Sequence, residues 1–519
     1  MQLVVDGTQV EVPDDGASLL EVLRDRLGIR SVKDGCSPQG QCGCCTVLVD
    51  GQPRVSCVTP VRRMAGRSVT TLAGTEPAVR EAWSEAFCAT GGSQCGFCTP
   101  GIVLRLEALR CKGTTVDDGD AVDRALAAHL CRCTGWQPVV DAWSVACVAL
   151  GDGVAPPSSA VRDLDAAARR ADLEGGVHQR VAPDVALGAG GFADDGAPAD
   201  ALVAVIGADG TWVVGETLTA ARRVAGKVQG RKTTALSEPP LALAPGEWDV
   251  SLRTSWVEPA YLETDASWCL PGGEPASPLG NGGAFGGKTH TEVGEVARRL
   301  ADEHGRPVRA LSAREDVVRR GPKRPPVAIG VRADGSGVAR VAATPGVADA
   351  IAAVAPSLVV EEVEVVGPPT SVDVRGAGWV EAAVAVGAAT GATEVRSPAG
   401  AVASATIDDD GRVQVRVRCG AVLDEVVLRS YCIGAVHQAL GLVTSEQLTV
   451  DEDGVPQDLT IRSFGILRAG DMPVVHVEIE PSDDEPVNGS DAVLAAVALA
   501  VWRHQGLPVS WPTGRLLGG

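Results

Sequence analysis

The first 60 residues alternate short apolar runs with turn residues. MQLVVDGTQVEV predicts a β-hairpin that turns at Asp6-Gly7, a pair typical of tight hairpin turns. ASLLEVLRDRLG predicts a helix, because Ser18 and Glu21 have the spacing of a capping box and Gly28 can end the helix. After a cysteine-rich loop, TVLVDGQPRVSC predicts a strand. The order of strand, helix, loop and strand indicates a small domain built around that loop.

A helical pattern, with apolar residues every three or four positions, runs from Thr75 to Leu150. It predicts helices over EAWSEAFCAT, TPGIVLRLEALR, DAVDRALAAHL and QPVVDAWSVACVAL. The Gly/Pro/Ser-rich residues 151–160 predict a linker, and the remainder is typical of a mixed α/β region. VALGAGGFADD carries glycines, but no strand–GxGxxG–helix unit surrounds Gly188–Gly191. We therefore expect a loop there rather than a dinucleotide-binding site.

Composition narrows the classes of function. The chain has 519 residues, 15 cysteines, 3% aromatic residues and a formal net charge of −20. An acidic, aromatic-poor chain is a poor candidate for binding nucleic acid. Met1 leads into a predicted strand with no basic segment or long apolar run, so we expect neither a signal peptide nor a membrane span. A cytoplasmic location, where thiols stay reduced, favours metal ligation over disulfide bonds.

Four cysteines in the predicted loop and strand form a first group with the spacing C-x5-C-x2-C-x11-C: Cys36, Cys42, Cys45 and Cys57. Plant-type [2Fe–2S] ferredoxins have C-x4-C-x2-C…C, one residue fewer between the first two ligands. Zinc sites usually pair two short C-x2-C units, and this group has only one, so the spacing favours an iron–sulfur cluster over zinc. Cys44 lies between two predicted ligands, and we expect it to be a bystander.

A second group follows in the helical part with the spacing C-x2-C-x32-C-x-C: Cys95, Cys98, Cys131 and Cys133. These cysteines stand where predicted helices begin, and helix N-termini favour anionic groups such as clusters. The spacing alone leaves the metal open. Its position directly after the first group makes a second [2Fe–2S] cluster the favoured interpretation.

Three segments resemble the iron–sulfur subunit of the molybdenum hydroxylases: DGCSPQGQCGCCTVLVDGQPRVSC, QCGFCTPG and HLCRCTGWQPVVDA. This family includes xanthine dehydrogenase, aldehyde oxidoreductase and aerobic carbon monoxide dehydrogenase. The resemblance implies a multidomain α+β fold. It has a β-grasp ferredoxin-like domain at residues 1–75, a helical [2Fe–2S]-binding domain at 76–150, the linker at 151–160, and a shortened mixed α/β molybdopterin-binding-like region at 161–519. In the family the helical domain's cluster lies next to the molybdopterin, which implies that Gln94 and Cys133 approach the pterin.

A patchier resemblance to the family's molybdenum subunit runs through residues 161–519. GGAFGGK resembles a glycine loop that faces the molybdenum, which implies cofactor contacts from Gly283, Ala284, Phe285 and Gly286. RGAG resembles the family's RGFG, which implies that Arg375 helps to bind substrate.

Several features depart from the family pattern. The region is much shorter than the family's molybdenum subunit, Thr289 follows GGK where xanthine dehydrogenases carry Glu, and Ala377 replaces the usual Phe. The GxGE motif that supplies the family's catalytic base is absent. Glu485 is the nearest candidate base and Asp491 the next, although a solvated acidic turn is the favoured interpretation of that segment.

These observations leave three hypotheses. The leading one is an iron–sulfur electron-transfer subunit, with two [2Fe–2S] clusters, that works with a full-length molybdopterin-binding subunit and an FAD-binding subunit; the cytosine dinucleotide is one form that the molybdopterin takes. The second is a compact, complete hydroxylase in which Lys288, Phe285 and Arg375 line the site and Glu485 is the base. The third is a scaffold with zinc in both cysteine groups. No flavin-binding pattern appears in the sequence, so we expect FAD on a partner.

Overall fold

The structure is a computed structural model, and it describes residues 1–154, 156–226, 233, 238–277, 282–289 and 291–517. It begins with a sheet in the order β2-β1-β5-β3-β4. Its elements are β1 (Gln2–Val5), β2 (Thr8–Glu11), α1 (Leu19–Glu21, continued by a π-helical turn at Val22–Arg26), β3 (Thr46–Val49), β4 (Gln52–Val55) and β5 (Ser68–Thr70).

The first predicted hairpin is confirmed, with Asp6 and Gly7 both at positive φ between β1 and β2. The predicted helix is also present, and the Ser18 side chain accepts a hydrogen bond from Glu21 N. The prediction of one strand over TVLVDGQPRVSC was wrong. Those residues form the antiparallel hairpin β3–β4, which turns at Asp50-Gly51, because Asp-Gly there adopts the same positive φ angles as in the first hairpin.

Four helices follow, as the periodicity predicted: α2 (Pro77–Thr90), α3 (Thr99–Arg110), α4 (Gly119–Leu126) and α5 (Gln137–Asp152). Pro lies in the first turn of α2, α3 and α5, where the missing amide hydrogen is tolerated. The predicted linker starts later than expected, since α5 includes Gly151 and Asp152 and ends at Gly153 in the left-handed conformation.

The rest of the chain, here called the C-terminal region (residues 161–519), is mixed α/β as predicted. Its elements are α6 (Leu164–Gly175), α7 (Pro183–Ala186), β6 (Leu202–Ile206), β7 (Trp212–Gly215), α8 (Leu218–Ala225), β8 (Val250–Arg253), β9 (Ala266–Cys269), α9 (Val293–His304), β10 (Val308–Leu311), α10 (Arg314–Arg320), β11 (Val327–Val331), β12 (Gly337–Ala342), α11 (Val347–Ala352), β13 (Leu358–Val363), α12 (Trp379–Thr390), β14 (Glu394–Arg396), β15 (Val402–Ile407), β16 (Val413–Arg418), α13 (Glu425–Thr444), β17 (Val475–Glu480) and α14 (Ser490–His504). The described strands form three sheets of four, in the orders β7-β6-β10-β9, β13-β12-β11-β8 and β14-β15-β16-β17.

Helix α13 lies at the centre of the C-terminal region and packs against α14 and α6. By length and composition it is the one helix among the described residues that is apolar enough to cross a membrane, but 89% of its apolar window is buried inside the protein. The structure therefore uses α13 as a core helix.

The N-terminal sheet, the four helices and the C-terminal region share one hydrophobic core, which runs from Leu3 through Trp143 to Ala469. Beside it lies a buried charge network. Arg24 of the N-terminal part pairs with Asp194 at 2.8 Å, and Arg309 of β10 pairs with Asp25 at 2.8 Å. The C-terminal region is therefore fixed to the cysteine-bearing part by both apolar packing and ion pairs.

Candidate functional site

The first quartet (Cys36, Cys42, Cys45 and Cys57) is brought together by the loop after α1 and by the two ends of the β3–β4 hairpin. All four side chains are buried, with at most 4% of any residue exposed. Hydrogen bonds from the thiols of Cys42 and Cys57 lower the pKa of Cys36 well below its usual range. The hydrogen bond between Cys42 and Cys36 raises the pKa of Cys42. Four buried sulfurs in mutual contact are the donor set that a [2Fe–2S] cluster requires.

Backbone groups surround the first quartet closely. Gln39 N donates to Cys36 Sγ at 3.2 Å, and Cys57 N donates to Cys45 Sγ at 3.5 Å. A Cβ on Gly35 would lie 3.1 Å from Cys42 Sγ, so only glycine lets the backbone come this near the sulfurs. Amide hydrogens aimed at sulfur stabilise negative charge there and raise the reduction potential of a bound cluster.

The second quartet (Cys95, Cys98, Cys131 and Cys133) lies at the starts of α3 and α5, as predicted. Cys98 is the N-cap of α3, and Cys133 Sγ lies 3.6 Å from Cys95 Sγ. Hydrogen bonds from the thiols of Cys133 and Cys98 lower the pKa of Cys131 well below its usual range. Cys95 is the half-buried member, whereas the other three are buried.

The two quartets are joined directly. Leu130 N, one residue before Cys131, donates a hydrogen bond to Cys42 O at 3.0 Å. A Cβ on Gly101 of α3 would lie 2.4 Å from Gly43 O, so a glycine is required where α3 packs on the first loop. The sequence predicted both groups of cysteines, but it did not predict the contacts of Leu130 and Gly101 between them. Only Gly101, a glycine inside a predicted helix, carried a signal in the sequence.

Within the part of the chain that the structure describes, no three or more His, Cys, Asp or Glu side chains meet the geometry of a site for a metal ion. The fit of each quartet to a [2Fe–2S] cluster therefore rests on its cysteine donor set, its burial and its thiol contacts. Cys44 is fully buried beside the first quartet, and its Sγ contacts Cys42 O at 3.9 Å.

Two of the residues predicted for the molybdenum site, Phe285 for the cofactor and Arg375 for substrate, line a small chamber. Arg132, Gln438 and Glu446 are among its other lining residues. Arg375 N donates to Phe285 O at 3.0 Å, and the Arg375 guanidinium lies 4.9 Å from the centre of the Phe285 ring. The space left between the lining side chains is about 30 Å³. Binding pockets for cofactor-sized ligands enclose about 300–1,000 Å³, so the chamber holds a water molecule but no molybdopterin.

Other loops of the same chain pack closely against the glycine loop. Residues 278–281, at its start, lie outside the described part, and Gly282–Ala284 form a short 3₁₀ turn. A Cβ on Gly286 would lie 1.7 Å from Asp373 O, and one on Gly287 would lie 2.7 Å from Pro259 Cβ. The glycines at these positions permit close packing between loops of the same chain. Asp373 thus occupies the space beside Gly286, although Gly286 itself is only partly buried.

The second quartet is likewise covered on the side where the resemblance implies a pterin. A Cβ on Gly434 of α13 would lie 1.8 Å from Cys133 O, so this helix rests directly on the ligand segment. Gln94 Nε2 donates to Cys133 O at 3.1 Å and to Ser430 Oγ of α13 at 2.9 Å. Around these positions, the residues that the structure describes therefore do not fit a molybdopterin cofactor. Gly434, inside a strongly apolar helix pattern, is the sequence signal for this packing.

The two candidate bases are placed differently. Glu485 is exposed, and the structure does not bring its side chain to the chamber. Asp491, the second candidate, accepts a hydrogen bond from Arg375 Nε at 2.7 Å. Lys288, proposed to line a compact active site, instead pairs with Glu263 at 2.7 Å. The favoured interpretation of Glu485 as part of a solvated turn agrees with its exposure.

Comparisons with known proteins agree with the cysteine sites. Residues 3–73 match the domain family described as "2Fe-2S iron-sulfur cluster binding domain", and residues 70–144 match the "[2Fe-2S] binding domain" family. The xanthine dehydrogenase iron-sulfur-binding subunit of Escherichia coli O157:H7 is 40% identical over 131 residues, 24% of this chain and 79% of that subunit.

Longer relatives match over the same N-terminal part. The aldehyde oxidoreductase of Megalodesulfovibrio gigas is 38% identical over 144 residues, which is 27% of this chain but only 16% of that protein. A solved structure of aldehyde oxidoreductase from Desulfovibrio gigas aligns over 96% of this chain and 97% of that chain, with a TM-score of 0.67 and 14% identity. That likeness shows a shared fold over the C-terminal region as well. The chain belongs to the molybdenum hydroxylase family, through the iron–sulfur subunits of its xanthine dehydrogenases.

Proposed function

We propose that this chain is the iron–sulfur electron-transfer subunit of a molybdenum hydroxylase complex. The first quartet would hold one [2Fe–2S] cluster and the second quartet another, with each cysteine as a ligand. Such clusters, when bound, accept and release single electrons. Electrons would come from a molybdopterin centre on a partner subunit and leave to FAD on another.

The observation that carries the proposal is the hydrogen bond from Leu130 N to Cys42 O. It connects the backbone of a first-quartet ligand to the residue directly before Cys131, a second-quartet ligand. A path of covalent bonds interrupted by one 3.0 Å hydrogen bond couples the two sites electronically far better than a gap between side chains. Burial of the thiols also keeps water from the sulfurs, which protects reduced clusters.

The surroundings of the quartets support placing the other cofactors on partner subunits. The chamber near Arg375 has room for about one water molecule, and the sequence shows no flavin-binding pattern. The E. coli relative is named as a separate iron-sulfur-binding subunit. Since all 15 cysteines are free, the cytoplasm is the compartment that we propose.

The clusters are tested on the full chain, purified without oxygen and reduced with dithionite. We expect about four irons per chain and two paramagnetic signals that broaden each other at low temperature, because the quartets are adjacent. Cys42→Ser should remove one signal and sharpen the other, whereas the matched control Cys44→Ser should keep both. Zinc in place of iron, or two signals with no mutual broadening, would reject the proposal.

The direction of transfer is tested in the complex. The chain is purified with its partner subunits, and reduction of the flavin is followed after the chain has been reduced. In the family that the chain resembles, the ferredoxin-like cluster lies nearer the flavin, so the first quartet would pass the electrons on to FAD. In the Cys42→Ser complex the second cluster should therefore still be reduced while the flavin stays oxidised. Flavin reduction at the wild-type rate in that variant would contradict the relay.

A further inference from the structure

A buried carboxylate occupies the N-terminus of α14. Glu174, at the end of α6, accepts hydrogen bonds from Gly489 N at 3.0 Å and from Ser490 N at 2.9 Å. Glu174 also pairs with Arg170 at 3.1 Å, and both side chains are fully buried. Helix N-termini attract anions because their amide hydrogens lack partners within the helix. In this chain the anion at α14 belongs to the protein itself.

The arginines of the chamber are paired in the same way. Arg375 Nε donates to Asp491 at 2.7 Å, and Arg375 Nη2 donates to Ser490 Oγ at 2.5 Å. Arg132, between two second-quartet ligands, donates to both carboxylate oxygens of Glu446. Guanidinium groups bind carboxylates and phosphates through the same two-pronged geometry. The carboxylates of the chain have therefore taken the places that an anionic ligand would need.

These contacts form one continuous network. The Ser490 amide donates a hydrogen bond to Glu174, and the Ser490 hydroxyl accepts one from Arg375. Gln438 of α13 then links Arg375 to the backbone of Arg132, through hydrogen bonds of 3.3 and 3.2 Å. The network thus runs without a gap from α6 to the segment that carries the second quartet.

We infer that Glu174, Asp491 and Glu446 act as built-in substitutes for the anionic groups of a phosphate-bearing cofactor. With them in place the C-terminal region reaches its final structure with no cofactor bound. Removing Glu174 would uncover a small anion site, formed by the N-terminus of α14 and the Arg170 guanidinium. This inference does not depend on the proposed electron transfer.

A more open cleft, of about 700 Å³, lies beside the glycine loop. It is a poorer place for an anionic cofactor, because four of its lining residues are acidic: Asp265, Glu292, Glu295 and Asp316. Of its two arginines, Arg320 is already paired with Glu292 at 2.5 Å. Negative charge around the cleft repels phosphate groups.

The experiment is chemical rescue of the full chain. Glu174→Ala should lower the midpoint of thermal unfolding by roughly 3–5 °C, because Arg170 and the first amides of α14 lose their partner. Added sodium formate, a free carboxylate, should recover at least half of that loss. The matched control is Glu303→Ala. It removes the carboxylate from the exposed pair Arg299–Glu303, which has the same i,i+4 spacing as Arg170–Glu174. Neither that control nor the wild type should respond to formate at equal ionic strength.

A second measurement does not depend on any variant. Wild-type chain from cells supplied with molybdate should contain less than about one-tenth molybdenum per chain and no bound pterin fluorescence. Stoichiometric molybdenum, or a folded Glu174→Ala chain that formate leaves unchanged, would overturn the inference. Iron measured on the same sample separates this outcome from failure of the proposed function. Should Glu174→Ala not fold, the molybdenum and pterin contents of the wild type still decide.

Discussion

The two halves of the molecule treat their polar groups in opposite ways. In the cysteine-bearing part, eight thiols face one another, with backbone amides turned toward several of the sulfurs. In the chamber, Arg132 faces Glu446 and Arg375 faces Asp491, both of them carboxylates of the C-terminal region. Thiols in mutual contact can still bind a metal through their sulfurs. A guanidinium that is paired with a carboxylate has no donors left for an anionic cofactor. The family fold persists in both halves, but among the described residues the arginines of the chamber are paired, whereas the thiols of the quartets face one another.

The largest difference between substitutions in the two halves is expected in the iron content of the chain. Cys42→Ser and Cys131→Ser should each halve the iron bound per chain, because each removes one ligand from one quartet. Arg375→Ala, in the chamber, should leave the iron unchanged. Iron analysis with visible absorption measures the difference. Equal iron losses in all three variants would contradict the expectation that only the quartets bind iron.

The next effect concerns stability where the halves meet. Glu446→Ala leaves the buried Arg132 guanidinium without its carboxylate and should lower the free energy of unfolding by about 3–5 kcal/mol. The double variant Arg132→Met, Glu446→Leu should recover most of this loss, because it buries no lone charge. Urea unfolding of the three chains tests this. A Glu446→Ala chain as stable as the wild type would show that the pair is not essential to the contact.

A smaller effect is expected in acid. Burial disfavours the charged form of Asp194, but the guanidinium groups of Arg309 and Arg24 more than offset this and hold the pKa of Asp194 well below its ordinary value of 3.8. Its contribution to stability is thus complete above pH 3.8 and is lost as the pH falls through the lower, folded pKa.

Asp194→Asn should therefore lose roughly 2 kcal/mol of unfolding free energy at neutral pH and show a flatter acid limb. Urea midpoints of both chains at each pH measure it, and the comparison cancels any acid sensitivity that they share. Parallel acid limbs would mean that Asp194 does not hold the halves together.

The smallest effect is expected at Cys44. Cys44→Ala should keep the full iron content and cost about 1 kcal/mol, since it removes a buried thiol without removing a ligand. Iron analysis and urea unfolding check both points. Loss of one cluster's iron would make Cys44 a ligand after all.

Much of the N-terminal architecture follows from local patterns. Asp6-Gly7 predicts the first hairpin, and the 3–4 periodicity predicts α2 to α5, because these elements depend on neighbouring residues. Asp50-Gly51 carries the same hairpin signal. It was overlooked because TVLVDGQPRVSC was interpreted as one strand. The cysteine spacings likewise predict the two quartets, and the structure brings the thiols of each together.

The closed chamber could not be predicted in this way. Gly434 rests on Cys133, and Glu174 reaches Ser490, across some 300 residues of chain in each case. Such contacts depend on how whole helices dock, and a sequence pattern does not record that. The missing GxGE motif leaves the family's catalytic base without a match in the sequence, but it does not indicate that Glu446 and Asp491 pair with the arginines of the chamber.

The position of α13 also constrains how the protein matures. Gly434 rests on the Cys133 segment, and seven of the eight predicted ligands are buried. An assembly factor that delivers iron and sulfide needs those thiols exposed. Delivery must therefore precede the docking of α13. The ribosome completes α13 at Thr444, more than 300 residues after Cys133, the last cysteine of the second quartet. The order of synthesis thereby leaves a period in which the clusters can be built, and folding of the C-terminal region then closes it.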